Sequence, residues 1–314
     1  MATVDSLCIS KKKGERKRPV ESVTMRVDHG IEGDAHAGPW HRQLSILSKS
    51  DIDAVRDGGL PDLKAGDFAE NIVIDGLELS SLGLGTRLRL GAELELTITQ
   101  IGKECHSPCR IYHLTGDCIM PKLGLFARVE KGGTLAVGET AEILHAVDRE
   151  IFQVVVITVS DSCSRGEAID TAGPAVLRKI EDSFGAHIYR HTVVADEFDE
   201  ISELLKHYSD GHSIDLIVTV GGTGFSPRDV SPEATRSVIE RLTPGLDEAM
   251  RAASLTKTPR AMLSRGCSGI RALTLIVNLP GSERAALENL EVLLDSLPHG
   301  LQKLRGDTSP CGDD

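Results

Sequence analysis

The stretch Phe152-Gln-Val-Val-Val-Ile-Thr-Val-Ser160 constrains the fold more than any other. A strand with one wet face alternates apolar and polar residues. A continuous apolar run instead marks a strand covered on both faces, as in a parallel sheet packed between helices. Three more strand-like runs follow, about His187 to Val194, Asp215 to Val220 and Leu273 to Asn278. Helix signals stand between them. Gly173-Pro174 opens 175–181, a second helix is expected over 197–205, and Ser231-Pro232 opens 233–240 with Ser231 as cap and proline at the first helical position. Strand, loop and helix in repetition predict an α/β domain with a largely parallel sheet flanked by helices, over residues 151–308.

Before residue 150 the pattern differs. Short apolar segments alternate with glycine turns, over 71–76, 86–91, 93–99 and 135–144. That spacing predicts a mostly antiparallel, barrel-like β domain over 1–146. One helix is expected around 48–56, with Ser50 as its cap. Residues 145–150 read as a short linker, and 309–314 as a short tail. A length of 314 residues suits two such domains.

Charge and cysteine usage narrow the function classes. A net charge of -12 argues against broad nucleic-acid or acidic-membrane binding, which needs a basic surface. The exception is the basic run from Lys11 to Arg18, interrupted by Gly14-Glu15 and without interleaved aromatics, which reads as a solvated turn or edge strand. No stretch approaches the roughly 20 apolar residues that span a bilayer. Seven widely spread cysteines form no disulfide framework, which points to a reducing cytoplasm.

In open parallel sheets, ligands sit beyond the carboxyl ends of the strands. The polar and glycine-rich segments of the second half fall there: Ser160-Asp161 and Asp170 to Gly173 after the first strand, Asp196 after the second, Gly221-Gly222-Thr223-Gly224 after the third, and Pro280-Gly281 after the fourth. Glycines let backbone N–H groups converge on an anion, with the hydroxyls of Thr223 and Ser226 as further donors. Arg228, taken by itself, reads as a surface salt bridge. Asp196 and Asp229 accept only, so beside phosphate their natural role is to hold Mg²⁺. Taken singly, Gly221-Gly222 also reads as a strand-end turn and Asp229 as a helix cap.

Together these segments resemble the MogA/MoaB family of molybdenum-cofactor synthesis, including the plant and animal (gephyrin) G domains. The likeness runs through Thr158–Asp161, Asp170–Pro174, Val194–Glu197, Gly221–Ala234, Thr243–Gly245, Ala261–Arg265, Gly269–Arg271 and Asn278–Gly281. Ala195 departs from it where many members carry proline. The resemblance implies a molybdopterin adenylyltransferase that uses Mg²⁺ and ATP and releases pyrophosphate. It places Asp196 and Asp229 at the family's two functionally important aspartates, with Ser264 and Ser268 lining the pterin or phosphate site. Only on this resemblance does Arg228 read as a partner of the triphosphate.

In the first half, Cys105, His106, Cys109, His113 and Cys118 lie within fourteen residues. Three readings stand side by side: ordinary reduced cysteines, a structural zinc site with unusual spacing, and a thiolate activated by Lys103, His106 and Arg110. Residues 4–145 resemble a MOSC domain through Gly30–His36, His41–Leu47, Gly66–Ile72, Leu88–Gly91 and Ser107–Cys109. The basic run then fits that domain's first strand. The resemblance implies that a cysteine carries sulfur or ligates molybdenum, Cys109 as first choice and Cys105 as second, and that this half binds, transfers or sulfurates the cofactor. Two alternatives come from other classes: a non-catalytic cofactor carrier, and a MOSC-type reductase of N-hydroxylated compounds. Expected partners are a separate MoeA-like molybdate-insertion protein, recipient molybdoenzymes, and further copies of the chain in a trimer.

Overall fold

A computed structural model describes residues 1–13, 15–102, 118–211 and 214–309. The chain divides into two compact units between Glu150 and Ile151.

The first unit is mostly strand. Its large sheet holds β1 (Thr3–Ile9), β2 (Arg18–Val20), β5 (Leu44–Ser48), β6 (Ile72–Asp75), β7 (Arg87–Leu90), β8 (Leu94–Ile101), β9 (Leu125–Lys131) and β11 (Ala141–His145), in the order β11-β7-β8-β9-β5-β6-β1-β2. A three-stranded sheet holds β3 (Ser22–Arg26), β4 (Gly30–Ile31) and β10 (Gly133–Ala136). All pairs are antiparallel except β5 with β6, which are joined through α1 (Lys49–Asp57). The mostly β character expected of this half is present, with no closed barrel among the described strands. Near β11 the chain bonds back to β1, where the Val4 N–H donates to Glu139 O (2.8 Å), the Gly138 N–H to Val4 O (2.8 Å) and the Ala141 N–H to Ala2 O (3.0 Å). Ser48, not Ser50, flanks the start of α1, and the two hydroxyls bond each other at 2.7 Å. The expected single segment over 135–144 is divided between β10, which pairs with β3, and β11, which pairs with β7 in the large sheet.

The basic run is not the first strand, which ends at Ile9. Its described residues lie between β1 and β2, with Arg18 opening β2, and the pattern inverts at Lys17. That ammonium is buried against Asp34, at 3.0 and 3.1 Å from the two carboxylate oxygens. Asp34 also accepts from the backbone N–H groups of Ser10 and His36 and from Asn71 Nδ2. Burial works against its charge, but the His36 contact, the charge of Lys17 and those N–H donors outweigh it. They hold the carboxyl well below the usual range.

The second unit is built on β12 (Gln153–Val159), β13 (His187–Val194), β14 (Leu216–Val220), β15 (Arg241–Leu242), β16 (Ser268–Arg271) and β17 (Thr274–Leu279), in the order β13-β12-β14-β17-β16-β15. The first four are parallel; β16 and β15 add antiparallel, making the sheet mixed. Period-two alternation sends Val154, Val156, Leu216, Val218, Val277 and Leu279 to one face. There they share a core with α4 (Ala172–Phe184) through Val176 and Ile180, and with α8 (Glu283–Glu291) through Ala286 and Leu290. Val155, Ile157, Ile217 and Ile276, equally buried, belong to the opposite face. Helices on both faces explain why these strands read as unbroken apolar runs.

Register places the site. Val159 stands opposite Val194, Thr158 opposite Val220, and Val220 opposite Leu279. Four strands therefore end level, and the loops that follow emerge along one edge.

Candidate active site

At that edge lies a cleft of about 240 Å³, lined by residues from all four loops, among them Ser160, Asp170, Asp196, Gly221, Gly222, Asp229 and Gly281. The structure thus brings these loops to one cleft, which Cys163 and Ile169, unmarked in the sequence, also line.

Close approach of backbone fixes the glycines. Gly221 has φ +114°, and a Cβ there would lie 2.2 Å from the carbonyl oxygen of Val159. Gly222, at φ +62°, leaves room for Ser231 Oγ and for Asp196 Oδ1, which a Cβ would approach to 2.4 and 3.0 Å. Larger side chains would therefore displace the strand end or the carboxylate. Ser231 corrects an expectation. It is the first residue of α6 (Ser231–Val238), and its hydroxyl donates to Gly221 O (2.8 Å) rather than capping that helix. The hydroxyl thereby ties the helix start to the glycine turn.

The carboxylates are held by backbone. The Asp161 N–H donates to Asp196 Oδ2 (2.9 Å), and the Asp196 N–H returns a bond to Asp161 Oδ1 (3.1 Å). Asp229 Oδ2 accepts from the Ser226 N–H at 2.9 Å. Burial raises the pKa of Asp196, and the negative charges of Asp161 and Asp229 add to the rise. At the rim, Arg228 donates from Nε and Nη2 to both oxygens of Asp161 (3.0 and 2.9 Å) and from Nη2 to Glu197 (2.8 Å). One guanidinium thus joins the loops after β12, β13 and β14.

Asp170 serves the scaffold. Its Oδ1 accepts from the Gly173 N–H (3.0 Å) in the first turn of α4, and its Oδ2 accepts from Thr158 Oγ1 (2.7 Å). His191 Nε2 sits 3.1 Å from both that oxygen and the Thr158 hydroxyl. A Cβ on Gly173 would strike all three groups. His191 was missed because, on a strand read by its apolar content, it carried no local motif.

Other expected residues lie elsewhere. Ser268 is fully buried and donates to Asp247 Oδ1 (2.8 Å), so it is not part of the cleft lining. Thr223 is buried within the glycine loop, Gly224 and Ser226 continue it toward Asp229, and Ser264 precedes Arg265 behind it. Pro280 is half-buried between Leu279 and Gly281. Cys105 and Cys109 lie outside the described residues. Among the described residues there is no group of three metal-ligating side chains, and no helix is long and apolar enough to cross a membrane. Asp196 and Asp229 both line the cleft.

Comparison with known proteins places both halves. The family model described as "Probable molybdopterin binding domain" matches residues 155–299, and the MOSC domain model matches residues 33–142. The molybdopterin adenylyltransferase of Helicobacter pylori (strain J99) is 36% identical over 158 residues, covering 50% of this chain and 90% of that protein. The molybdenum cofactor synthesis protein cinnamon of Drosophila melanogaster is 40% identical over 154 residues, 49% of this chain. The chain spans only 26% of the length of cinnamon. The crystal structure of the molybdopterin biosynthesis enzyme MoaB from Thermus thermophilus aligns at 45% identity and a TM-score of 0.48, over 50% of this chain and 98% of that one.

Proposed function

Because the chain belongs to the MogA/MoaB family of molybdopterin-binding proteins, with a MOSC domain in its first half, we propose that its second half adenylylates molybdopterin with ATP, releasing pyrophosphate. The observation that carries this reading is the convergence of four loops on one cleft, with a glycine turn facing Asp196 and Asp229.

The terminal phosphate of molybdopterin attacks the α-phosphorus of ATP, forming a P–O–P bond as the bond to pyrophosphate breaks. Such transfers depend mainly on alignment and on neutralising charge, so no covalent protein nucleophile is required. Asp196 and Asp229 would hold Mg²⁺, which offsets the phosphate charge. Gly221 and Gly222 let the backbone approach the phosphates without side-chain obstruction. Arg228, presented at the rim, pairs with the triphosphate. Ser160 caps α3 (Asp161–Ser164) by accepting from the Cys163 N–H, keeping that short turn folded beside the cleft. Asp170, held by Thr158 and His191, keeps the start of α4 in place.

The first half, on this reading, binds or passes on the molybdenum cofactor through Cys109. A MoeA-like protein then supplies the molybdate-insertion step, and the cytoplasm is the setting. Asp229→Asn tests the assignment, since it keeps size and most hydrogen bonding while removing the charge. Expected is loss of ATP- and molybdopterin-dependent pyrophosphate release with the circular-dichroism spectrum intact. Normal turnover in that variant would sink the reading.

A further inference from the structure

Behind the glycine loop stands Arg265, a residue that composition and spacing leave unremarked. Its Nε donates to Gly224 O (2.6 Å) and its Nη2 to Asp229 O (2.5 Å). Nη1 pairs with the carboxylate of Glu233 in the first turn of α6. Its backbone N–H donates to Thr223 O at 3.0 Å. All four bonds end on the loop or on the helix that follows it, and they arrive from a segment more than thirty residues further along the chain.

The consequence follows from peptide geometry. In a trans peptide the C=O and N–H point in opposite directions. Drawing the carbonyls of Gly224 and Asp229 toward the guanidinium, and that of Thr223 toward the backbone N–H of Arg265, turns the N–H groups of Gly224, Phe225 and Val230 away from Arg265. A loop whose N–H groups share one side is a nest for an anion. The same bonds fix the chain on both sides of Asp229, whose carboxylate lines the cleft. The loop has little slack, because a Cβ on Gly224 would lie 2.9 Å from Asp229 Oδ2.

We propose that Arg265 is a positioning residue for phosphate binding. It touches no substrate, but it staples the Thr223–Asp229 loop into the form in which its N–H groups receive the phosphates of a nucleotide while Asp229 keeps its place in the cleft lining. The planar, multi-donor fork of arginine reaches both carbonyls and Glu233 at once. Lysine, a single point charge, does not hold all three in that geometry. This inference rests on the adenylyl-transfer reading for the identity of the phosphates, but not for the anion site itself.

The test uses the full-length protein, with pyrophosphate and Mg-ATP binding followed by calorimetry and pyrophosphate release followed separately. Arg265→Lys should bind pyrophosphate about tenfold more weakly or worse, since charged hydrogen bonds lose their geometry. Its circular dichroism and melting temperature should stay close to the parent's. Arg265→Ala should recover binding when methylguanidine is added, a response that loss of fold does not produce. Parent-like pyrophosphate affinity in Arg265→Lys overturns the proposal, as does a loss of binding that only tracks a loss of secondary structure. A parent protein that binds pyrophosphate but never releases it from ATP defeats the adenylyl-transfer reading and leaves this one standing. A parent that binds neither ligand defeats both.

Discussion

Two ion pairs, one in each half of the chain, use the same chemistry to opposite ends. Lys17 and Asp34 in the first unit have side chains 1% and 0% exposed, while Arg228, Asp161 and Glu197 at the cleft rim are 52%, 27% and 58% exposed. A buried pair has given up its water, so each partner depends on the other and neither can leave. An exposed pair keeps much of its hydration and exchanges partners readily. Burial therefore decides whether a salt bridge is fixed architecture or a contact that an incoming anion can take over.

The sharpest way to break the comparison is at the buried pair. Asp34→Asn leaves the Lys17 ammonium buried without a counter-charge, and removing one partner of such a pair typically costs about 3–5 kcal/mol. Urea titration should show that loss in the first unit, and adding Lys17→Met should restore part of it. If Asp34→Asn unfolds like the parent, Lys17 is not the buried cation described here.

Glu70 gives the second test. Its side chain is fully buried, and its Oε1 accepts from the Gly66 N–H. Burial pushes its carboxyl up to about 7 from 4.5, against the lowering pull of the Gly66, Glu70 and Phe68 N–H groups. Below pH 4.5 both folded and unfolded chains hold the proton, and stability is at its full value. As pH rises toward 7, the unfolded chain ionises first and stability falls; above 7 it levels off. At about 1.4 kcal/mol per pH unit the total is roughly 3 kcal/mol. Glu70→Gln should remove this fall, so the stability of variant relative to parent should climb between pH 4.5 and 7. Parallel pH profiles for the two proteins would show that Glu70 does not titrate in that window.

Much of the second unit was legible in the sequence, and particular residues show why. The bounds of β13 matched the expected strand, and the two-faced burial of β12 stood in its unbroken apolar run. The four loops at one edge followed from parallel order alone. What escaped depended on contacts distant in sequence. β15 and β16 together span six residues and carry no periodicity, so the antiparallel extension of the sheet left no signal. Ser231 matched a helix cap locally, yet its hydroxyl was claimed by Gly221. Lys17 sat in a run that reads as solvated, yet it is buried with its ammonium against Asp34 and its backbone N–H bonded to Gly66 O. Ser268 was expected to line the pterin or phosphate site but faces Asp247 in the interior. A local pattern states what a residue prefers, whereas the partner that overrules it is supplied by the fold.

The smallest effect on stability belongs to the exposed pair, where the comparison is most easily sharpened. Arg228→Ala removes the bond that joins the loops after β12, β13 and β14, but water replaces it at the rim. The melting temperature should hardly move. Substrate binding should move much more, because on the adenylyl-transfer reading the same guanidinium meets the triphosphate. The KM for ATP should rise about tenfold, in keeping with the strength of charged hydrogen bonds to phosphate. That rise should shrink as ionic strength increases, since salt screens an exposed cation in the parent as well. Asp161→Asn provides the counter-test. It frees Arg228 from one competitor while keeping the backbone bond to Asp196, so it should leave melting equally unmoved. A large fall in melting temperature for Arg228→Ala, with KM unchanged, would mean that this bridge is architecture too, and that exposure alone does not separate the two pairs.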